Sequence, residues 1–517
     1  MRAGTILGRA VARRRGQLVR FQAEGVLVDR TSQARARECQ CLVSFLTGLL
    51  GEFLRKESKL SSRPVMKRYQ LVVIGSGSAG REATLLAAGK GLRTALIEKD
   101  RIGGVAFHSG CYAVSGLLGC ARQFRDTLKG ERFGNEADLL RATLQKWRIA
   151  QSNASMRLAQ EFEAELKQLN VDVYLGHAEL VTDQIVQIVR ASGSRIAIRA
   201  DNIIVATGSR PDFSDGPDPR LVSSDALLRM TMPPRHLAVI GGGHIGCEFA
   251  SIYRTLGSEV TLFERESRVL SGWETEAAER VTETLQTRSV VLRLNCEVSI
   301  DQIATGAKGD RILEIDRQSI DADLVLVATG RRPNSSGLGL EALGIDDTSF
   351  LRVDAHMRLP RPGLYAVGDV NGLSLLDSTA FAQANAAIGS IMGHSTRFDY
   401  RWIPRCIHTD PCIAAVGWTQ EEAEAEGIAC VAASDTIFLV SDNPRSIIDP
   451  EPTFLKIIID AKSRRLLGCL VAGDHAPVIV NTATIALRSG INLDSLRELG
   501  LTQPSAMEAL MSTLRKL

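Results

Sequence analysis

One pattern occurs twice in this chain of 517 residues, and it restricts the fold more than any other feature. Tyr69-Gln-Leu-Val-Val-Ile74 is a short β-branched run that leads into Gly75-Ser-Gly77-Ser-Ala-Gly80 and then into a helix-forming stretch, Arg81 to Lys90. A second strand-like run, Thr94 to Ile97, ends at Glu98, 23 residues beyond Gly75. The unit recurs as His236 to Ile240, Gly241-Gly-Gly243-His-Ile-Gly246, a predicted helix from Cys247 to Thr255, and Val260 to Phe263 ending at Glu264, again 23 residues on. A single glycine-rich turn means little, but two in the same strand–turn–helix setting, each with a following acid, predict two nucleotide-binding units. The first glycine makes the turn, the second lets backbone N–H groups approach a pyrophosphate, and the third packs helix on strand. The helix N-terminus adds a favourable field for the anion. Glu98 and Glu264 are placed to accept hydrogen bonds from ribose hydroxyls.

Further landmarks fit the same architecture. Ile203 to Pro211 and its echo Leu324 to Asn334 are apolar strands closing at Gly208 and Gly330, where a cofactor can come close. Leu364 to Val370 is a third such strand, and its Asp369 could hold a polyol. Ala137 to Leu169 reads as a long exposed helix, broken near Gly134 and Asn170. From about Tyr400 the texture changes to strands (Thr453 to Ile459, Leu466 to Val471) alternating with helices (Val478 to Ser489, Ser505 to Arg515). The predicted fold is therefore α/β, with two Rossmann-like dinucleotide-binding domains and a separate C-terminal α+β domain.

Length allows about three domains, and no apolar run reaches the ~18 residues a membrane span needs. The net charge of +3 conceals an asymmetry, because residues 1–65 hold 13 Lys+Arg against 5 Asp+Glu. The remaining 452 residues are net negative, which argues against nucleic-acid binding by the folded body. Residues 1–65 are expected to be a disordered, targeting or mis-assigned extension, with Met66 the natural start because a buried strand begins just after it. Ten cysteines without a CxxC pair suggest neither a disulfide scaffold nor a zinc site, which makes a reducing, cytoplasmic setting the default.

With these residues in place, the chain from Lys67 onward resembles the class I pyridine nucleotide–disulfide oxidoreductases. The two fingerprints, the two Ala-Thr-Gly segments, Ala366-Val-Gly-Asp369, and the C-terminal Ile407-His-Thr-Asp-Pro411 and Val416-Gly-Trp-Thr419 carry the likeness. The resemblance implies an FAD domain at 66–212 and 336–396, with Gly75, Gly77, Gly80, Glu98, Gly104, Gly208 and Asp369 around FAD. It implies an NAD(P)(H) domain at 213–335, with Gly241, Gly243, Gly246, Glu264 and Gly330 around the nicotinamide dinucleotide. It also implies a dimerisation domain at 397–517, in a homodimer whose C-terminal domain completes the partner's active site.

The chain departs from the pattern at the chemistry. The resemblance implies redox-active cysteines at positions 106 and 111, but here Ala106 is followed by Cys111. Ser115 replaces the lysine expected beside the flavin, although Glu248 matches its acidic partner. Where a histidine base is implied, the chain has Gln503, ahead of a retained Glu508, and an amide does not titrate. Cys111 is either a thiolate cycling through a sulfenic acid or mixed disulfide, or a small residue packed against the flavin. His108, one turn earlier, is either a catalytic group or a loop histidine that caps a helix or meets solvent. Glu264 favours NADH over NADPH, whereas Arg265 and Arg268 would suit a 2′-phosphate. The expected activity is an FAD-dependent NAD(P)H oxidoreductase passing hydride to a small acceptor such as a quinone. The alternatives are a dihydrolipoamide dehydrogenase, transhydrogenase or single-cysteine thiol enzyme, and a flavin-binding protein without turnover.

Overall fold

The computed structural model describes residues 9–14, 17–22, 66–130, 135–213, 215–216, 218–300, 303–305, 311–315, 318–394, 399–438 and 452–517. Met1–Met66 and Lys67–Leu517 form two separate units. In the first, Arg9–Arg14 and Gln17–Gln22 pair as an antiparallel hairpin. The rest of residues 1–65, on which the expectation of a disordered or targeting extension bears, lies outside the described residues.

The second unit is built on three main sheets. The first sheet centres on β1 (Arg68–Ile74), flanked in parallel by β2 (Thr94–Glu98) and β3 (Arg195–Val205). Leu71 to Ile74 are buried on both faces, as expected of a central parallel strand covered on each side, so the run is continuously apolar instead of alternating. Between β1 and β2 lies α1 (Ser78–Gly89), whose inward positions are Ala79, Gly80, Ala83, Thr84 and Ala87. These small residues let α1 sit close to the sheet and to α6 (Asp377–Ile391), which brings Ala380, Ala384 and Ala387 to the same core. A short helix α2 (Gly104–His108) and a longer one, α3 (Cys111–Gly130), follow β2, and α4 (Glu136–Gln168) runs for 33 residues as predicted. Asn135 caps α4, and Asn170, at φ 54°, marks where the chain leaves it.

The second sheet repeats the plan. β4 (His236–Ile240) leads through the second glycine turn into α5 (His244–Thr255) and on to β5 (Glu259–Phe263), and β6 (Leu324–Val327) pairs with β4 on its other side, all in parallel. Both fingerprint helices begin three residues earlier than the sequence suggested, at Ser78 and His244, because the third glycine belongs to the helix's first turn and not to the loop before it. A second correction concerns Asp369. The third landmark strand stops at Ala366 (β7, Leu364–Ala366), and Gly368, at φ 76°, turns the chain into a 3₁₀ segment that carries Asp369.

The C-terminal sheet is antiparallel, in the order β8 (Arg405–Ile407), β9 (Ile413–Gly417), Leu466–Ala472, Pro452–Asp460, Cys430–Phe438. Two helices pack against it, α7 (Ala476–Ser489) and α8 (Met507–Leu514). No helix of the described residues is long and apolar enough to cross a membrane.

Candidate active site

The C-terminal ends of β1, β2 and β3 open onto a cavity of about 950 Å³, the place where parallel α/β sheets bind ligands. Its wall includes Gly75, Gly77, Glu98, Gly104, Gly208 and Asp369, together with His108, Cys111 and Glu248. The structure thus brings together nine of the residues singled out from the sequence. Gly80, Gly241, Gly243, Gly246, Glu264, Gly330 and Glu508 stand off this wall.

Local geometry explains the first glycine turn. A Cβ on Gly75 would lie 2.4 Å from the Ala206 carbonyl oxygen, and one on Gly80 would lie 1.9 Å from the Gly75 carbonyl oxygen. A Cβ on Gly77 would meet no protein atom within 4 Å, so the free space there faces the cavity. That open cradle at the N-terminus of α1 fits a pyrophosphate. The buried Thr207 Oγ1 also lines the cavity and has no hydrogen-bond partner among the described residues, which is how a polar group awaiting a ligand looks. Glu98 is held in place by the Ser76 backbone N–H at 2.9 Å, the Ser76 hydroxyl at 2.6 Å and the Asp100 N–H at 2.9 Å. The Ser209 hydroxyl donates to Asp369 at 2.6 Å. These residues fit a bound dinucleotide.

The second glycine turn mirrors the first, with a Gly246 Cβ only 1.9 Å from the Gly241 carbonyl oxygen. Glu264 accepts the N–H groups of Gly242 and Glu266, which fixes its carboxylate at the end of β5. Arg265 pairs with Glu266, and Arg268 donates to the carbonyls of Ser271 and Trp273. From this unit α5 reaches the cavity with His244, Ile245, Glu248 and Phe249.

Cys111 is exposed on the cavity wall, with Ala106 also lining it. Withdrawal from bulk water inside the enclosing protein pushes the thiol up to about 12, and the carboxylates Glu248, Asp377 and Asp369 push in the same direction. Desolvation and the three carboxylates outweigh the backbone hydrogen bond at the start of α3 that works in the opposite direction. His108 Nε2 lies 3.0 Å from the Ile102 carbonyl, which can only accept, so this nitrogen carries the proton. Ser115 is exposed and not part of the cavity wall. Glu508 accepts the Ser505 N–H at 3.0 Å and closes the first turn of its own helix.

Several cavity residues escaped the sequence reading. His244 follows Gly243 directly, and burial, helped by Arg331, lowers its pKa to about 4. Arg331 follows Gly330 and could have been picked out as a cation beside a glycine turn. Asp377, which accepts from the Ser78 hydroxyl, and Cys406, on β8, carried no local signal, whereas His408 lies in the Ile407-His-Thr-Asp-Pro411 segment without having been singled out. Off the cavity wall, Asp410 of the same segment was not singled out either. Fully buried, it binds Arg122 at 2.8 Å, Arg288 at 2.9 Å and also Arg125, while Arg122 reaches Asp474 at 2.9 Å. Burial raises its pKa, but the three guanidinium groups together outweigh that and hold it below the ordinary carboxylate value.

Comparison with known proteins agrees with this construction. The sequence pattern described as "Pyridine nucleotide-disulphide oxidoreductase" matches residues 69–390, and that of the corresponding dimerisation domain matches residues 403–514. The dihydrolipoyl dehydrogenase of Chlamydia pneumoniae is 32% identical over 447 residues, covering 86% of this chain and 95% of the relative. The crystal structure of LpdA from Mycobacterium tuberculosis superposes with a TM-score of 0.77 at 26% identity, over 87% of this chain and 99% of the other. The flavoprotein disulfide reductase RclA from Escherichia coli, as its Cu(II) complex, gives a TM-score of 0.74 at 25% identity, over 87% of this chain and 100% of the other. Two glycine cradles on successive sheets, a cavity at the first of them that the helix of the second cradle reaches, and a match along nearly the whole of the second unit lead to one conclusion: the chain belongs to the pyridine nucleotide-disulphide oxidoreductase family, whose members work with FAD and NAD(H), and it carries that family's dimerisation domain.

Proposed function

We propose that the protein is a homodimeric flavoenzyme that takes hydride from NADH and delivers it, through FAD, directly to a small acceptor such as a quinone, without a protein disulfide. The observation that carries this reading is the state of Cys111. Ala106 stands where a second thiol would be needed, and the Cys111 thiol is kept protonated by its surroundings. A thiol with no partner and no thiolate character is a poor relay for electrons. Gly75, Gly77, Gly80 and the N-terminus of α1 would hold the FAD pyrophosphate, with Glu98 on a ribose and Gly104, Gly208 and Asp369 around the rest of the cofactor. Gly241, Gly243, Gly246, Glu264 and Gly330 would hold the nicotinamide dinucleotide in the same way. When bound, FAD supplies the two-electron chemistry. The chain itself positions, excludes water, and sets the field with Glu248, Asp369, Asp377 and Arg331.

The test is Cys111→Ser. Reduction of menadione by NADH should stay within about threefold of wild type, and a loss of about 100-fold or more would replace this reading by single-cysteine thiol chemistry.

The nicotinamide preference follows from Glu264. With Arg265 paired to Glu266 and Arg268 donating to two backbone carbonyls, a 2′-phosphate would face the Glu264 carboxylate. We expect kcat/KM for NADH to exceed that for NADPH by about tenfold or more, some 1.4 kcal/mol. Glu264→Gln should narrow the ratio. Steady-state kinetics with both nucleotides checks this, and equal or inverted values would show that the arginines turn to meet the phosphate.

A further inference from the structure

Glu248 lies on the inner face of α5, between Cys247 and Phe249, and is more than nine-tenths buried. One of its oxygens, Oε1, accepts the His408 backbone N–H at 2.8 Å. No ion pair reaches it among the described residues, and its side chain forms part of the cavity wall. The titratable groups around it come from every neighbouring element. They are His244 and Cys247 on its own helix, Cys111 on α3, and Cys406, His408 and Cys412 at the β8–β9 hairpin. None of them offers Glu248 a cation. The four thiols are themselves pushed up by withdrawal from bulk water, and His244 and His408 are pushed down by it, with Arg331 adding to the effect on His244 and Arg122 to that on His408. An acid so placed keeps its proton, and burial brings Glu248 up to about 7 even though the His408 N–H works in the opposite direction. Around neutrality it can both hold and release a proton, the condition for a general acid.

We propose that Glu248 is the proton donor to the acceptor in the oxidative half of the reaction. The proposal rests on the direct-transfer reading above. Turning a quinone into a hydroquinone consumes two electrons and two hydrogens. NADH provides both electrons and one hydrogen as hydride and leaves as NAD⁺. The second hydrogen leaves the Glu248 carboxyl as a proton and forms the remaining O–H bond, and solvent returns a proton to the carboxylate. The sum is NADH + H⁺ + quinone → NAD⁺ + hydroquinone. A one-electron acceptor that takes no proton, such as ferricyanide, has no use for this group.

The experiment compares holoenzyme and Glu248→Gln with menadione and with ferricyanide across neutral pH. The ratio of menadione to ferricyanide turnover should fall about 100-fold in the variant, and the limb of the wild-type menadione pH profile near 7 should disappear. Glu248→Asp should restore part of the ratio and covers the case in which the glutamine variant folds poorly. An independent reading is the infrared band of a protonated carboxyl, which should titrate near neutrality in the wild-type protein and be absent in Glu248→Gln. An unchanged ratio and pH profile in the variant, or no carboxyl band titrating near neutrality, overturns the proposal while leaving direct transfer intact. A wild-type protein that reduces ferricyanide but no quinone overturns the direct-transfer reading and this inference with it.

Discussion

Gly80→Ala is expected to yield protein with no visible flavin absorbance and a lowered melting temperature, whereas Gly77→Ala should fold normally and bind FAD weakly. The contrast follows from what each new methyl group would meet. At Gly80 the Cβ would lie 1.9 Å from the Gly75 carbonyl oxygen and 3.3 Å from the Ala206 Cβ, and the first of these is backbone that cannot step aside. The helix must then lift from the strand, which costs about 1–3 kcal/mol as overpacking. It also carries the α1 N-terminus away from its seat, and the stabilisation by bound flavin, about 2.7 kcal/mol at a hundredfold excess over Kd, is lost as well. At Gly77 no protein atom lies within 4 Å of the new methyl, so the apoprotein is undisturbed. The methyl instead occupies the space left for the pyrophosphate, and FAD affinity should fall about tenfold or more. Flavin content after purification, together with thermal melts with and without added FAD, separates the two effects. Equal flavin loading in both variants and wild type would mean that the first glycine turn is not the flavin seat.

The second large effect belongs to Asp410. Its side chain has no exposure, and it is the common partner of Arg122 and Arg125 on α3 and of Arg288, which follows the helix Thr275–Thr287 beyond the second glycine turn. Asp410→Ala removes the buried anion that three guanidinium groups share, and breaking a buried ionic cluster from one side costs about 3–5 kcal/mol. Asp410→Asn should cost less than alanine because the amide keeps a hydrogen-bond acceptor. Acid should act in the same direction as the substitution. Because the folded-state pKa of Asp410 lies below its ordinary value, its contribution is complete above that value and is lost as pH falls through the lowered one. Wild-type stability should therefore decline in acid more steeply than that of Asp410→Asn. Urea unfolding at neutral and acidic pH measures both predictions, and an alanine variant within about 1 kcal/mol of wild type would show that the arginines find water or other anions instead. The cluster also fixes the loop that presents His408 to Glu248, so activity should drop with stability.

Sequence and structure divide this protein along a physical line. The two cradles were legible because everything that makes them is local. Gly75 and Gly241 need positive φ, Gly80 and Gly246 need to have no side chain, and the flanking apolar runs announce strands buried on both faces. The long helix at Glu136–Gln168 and the C-terminal strands were legible for the same reason, since periodicity and capping act over a few residues. The strand through Asp369 was drawn too long because a single glycine at φ 76° ended it, and composition does not reveal a backbone angle.

By itself the sequence predicted two dinucleotide cradles and their order, and the resemblance it carries implies that Ala106 and Gln503 stand where thiol chemistry would need a cysteine and a base. Only the tertiary structure decided what surrounds the remaining groups. The Glu248 carboxylate meets the N–H of a residue 160 positions away, and Asp410 meets Arg122 across 288 positions. The protonation of Cys111 depends first on its withdrawal from bulk water and then on Glu248, Asp377 and Asp369, which arrive from three different segments. Glycine conformation and hydrophobic period are set by near neighbours along the chain, whereas desolvation and charge act through space, and the fold alone decides which charges meet.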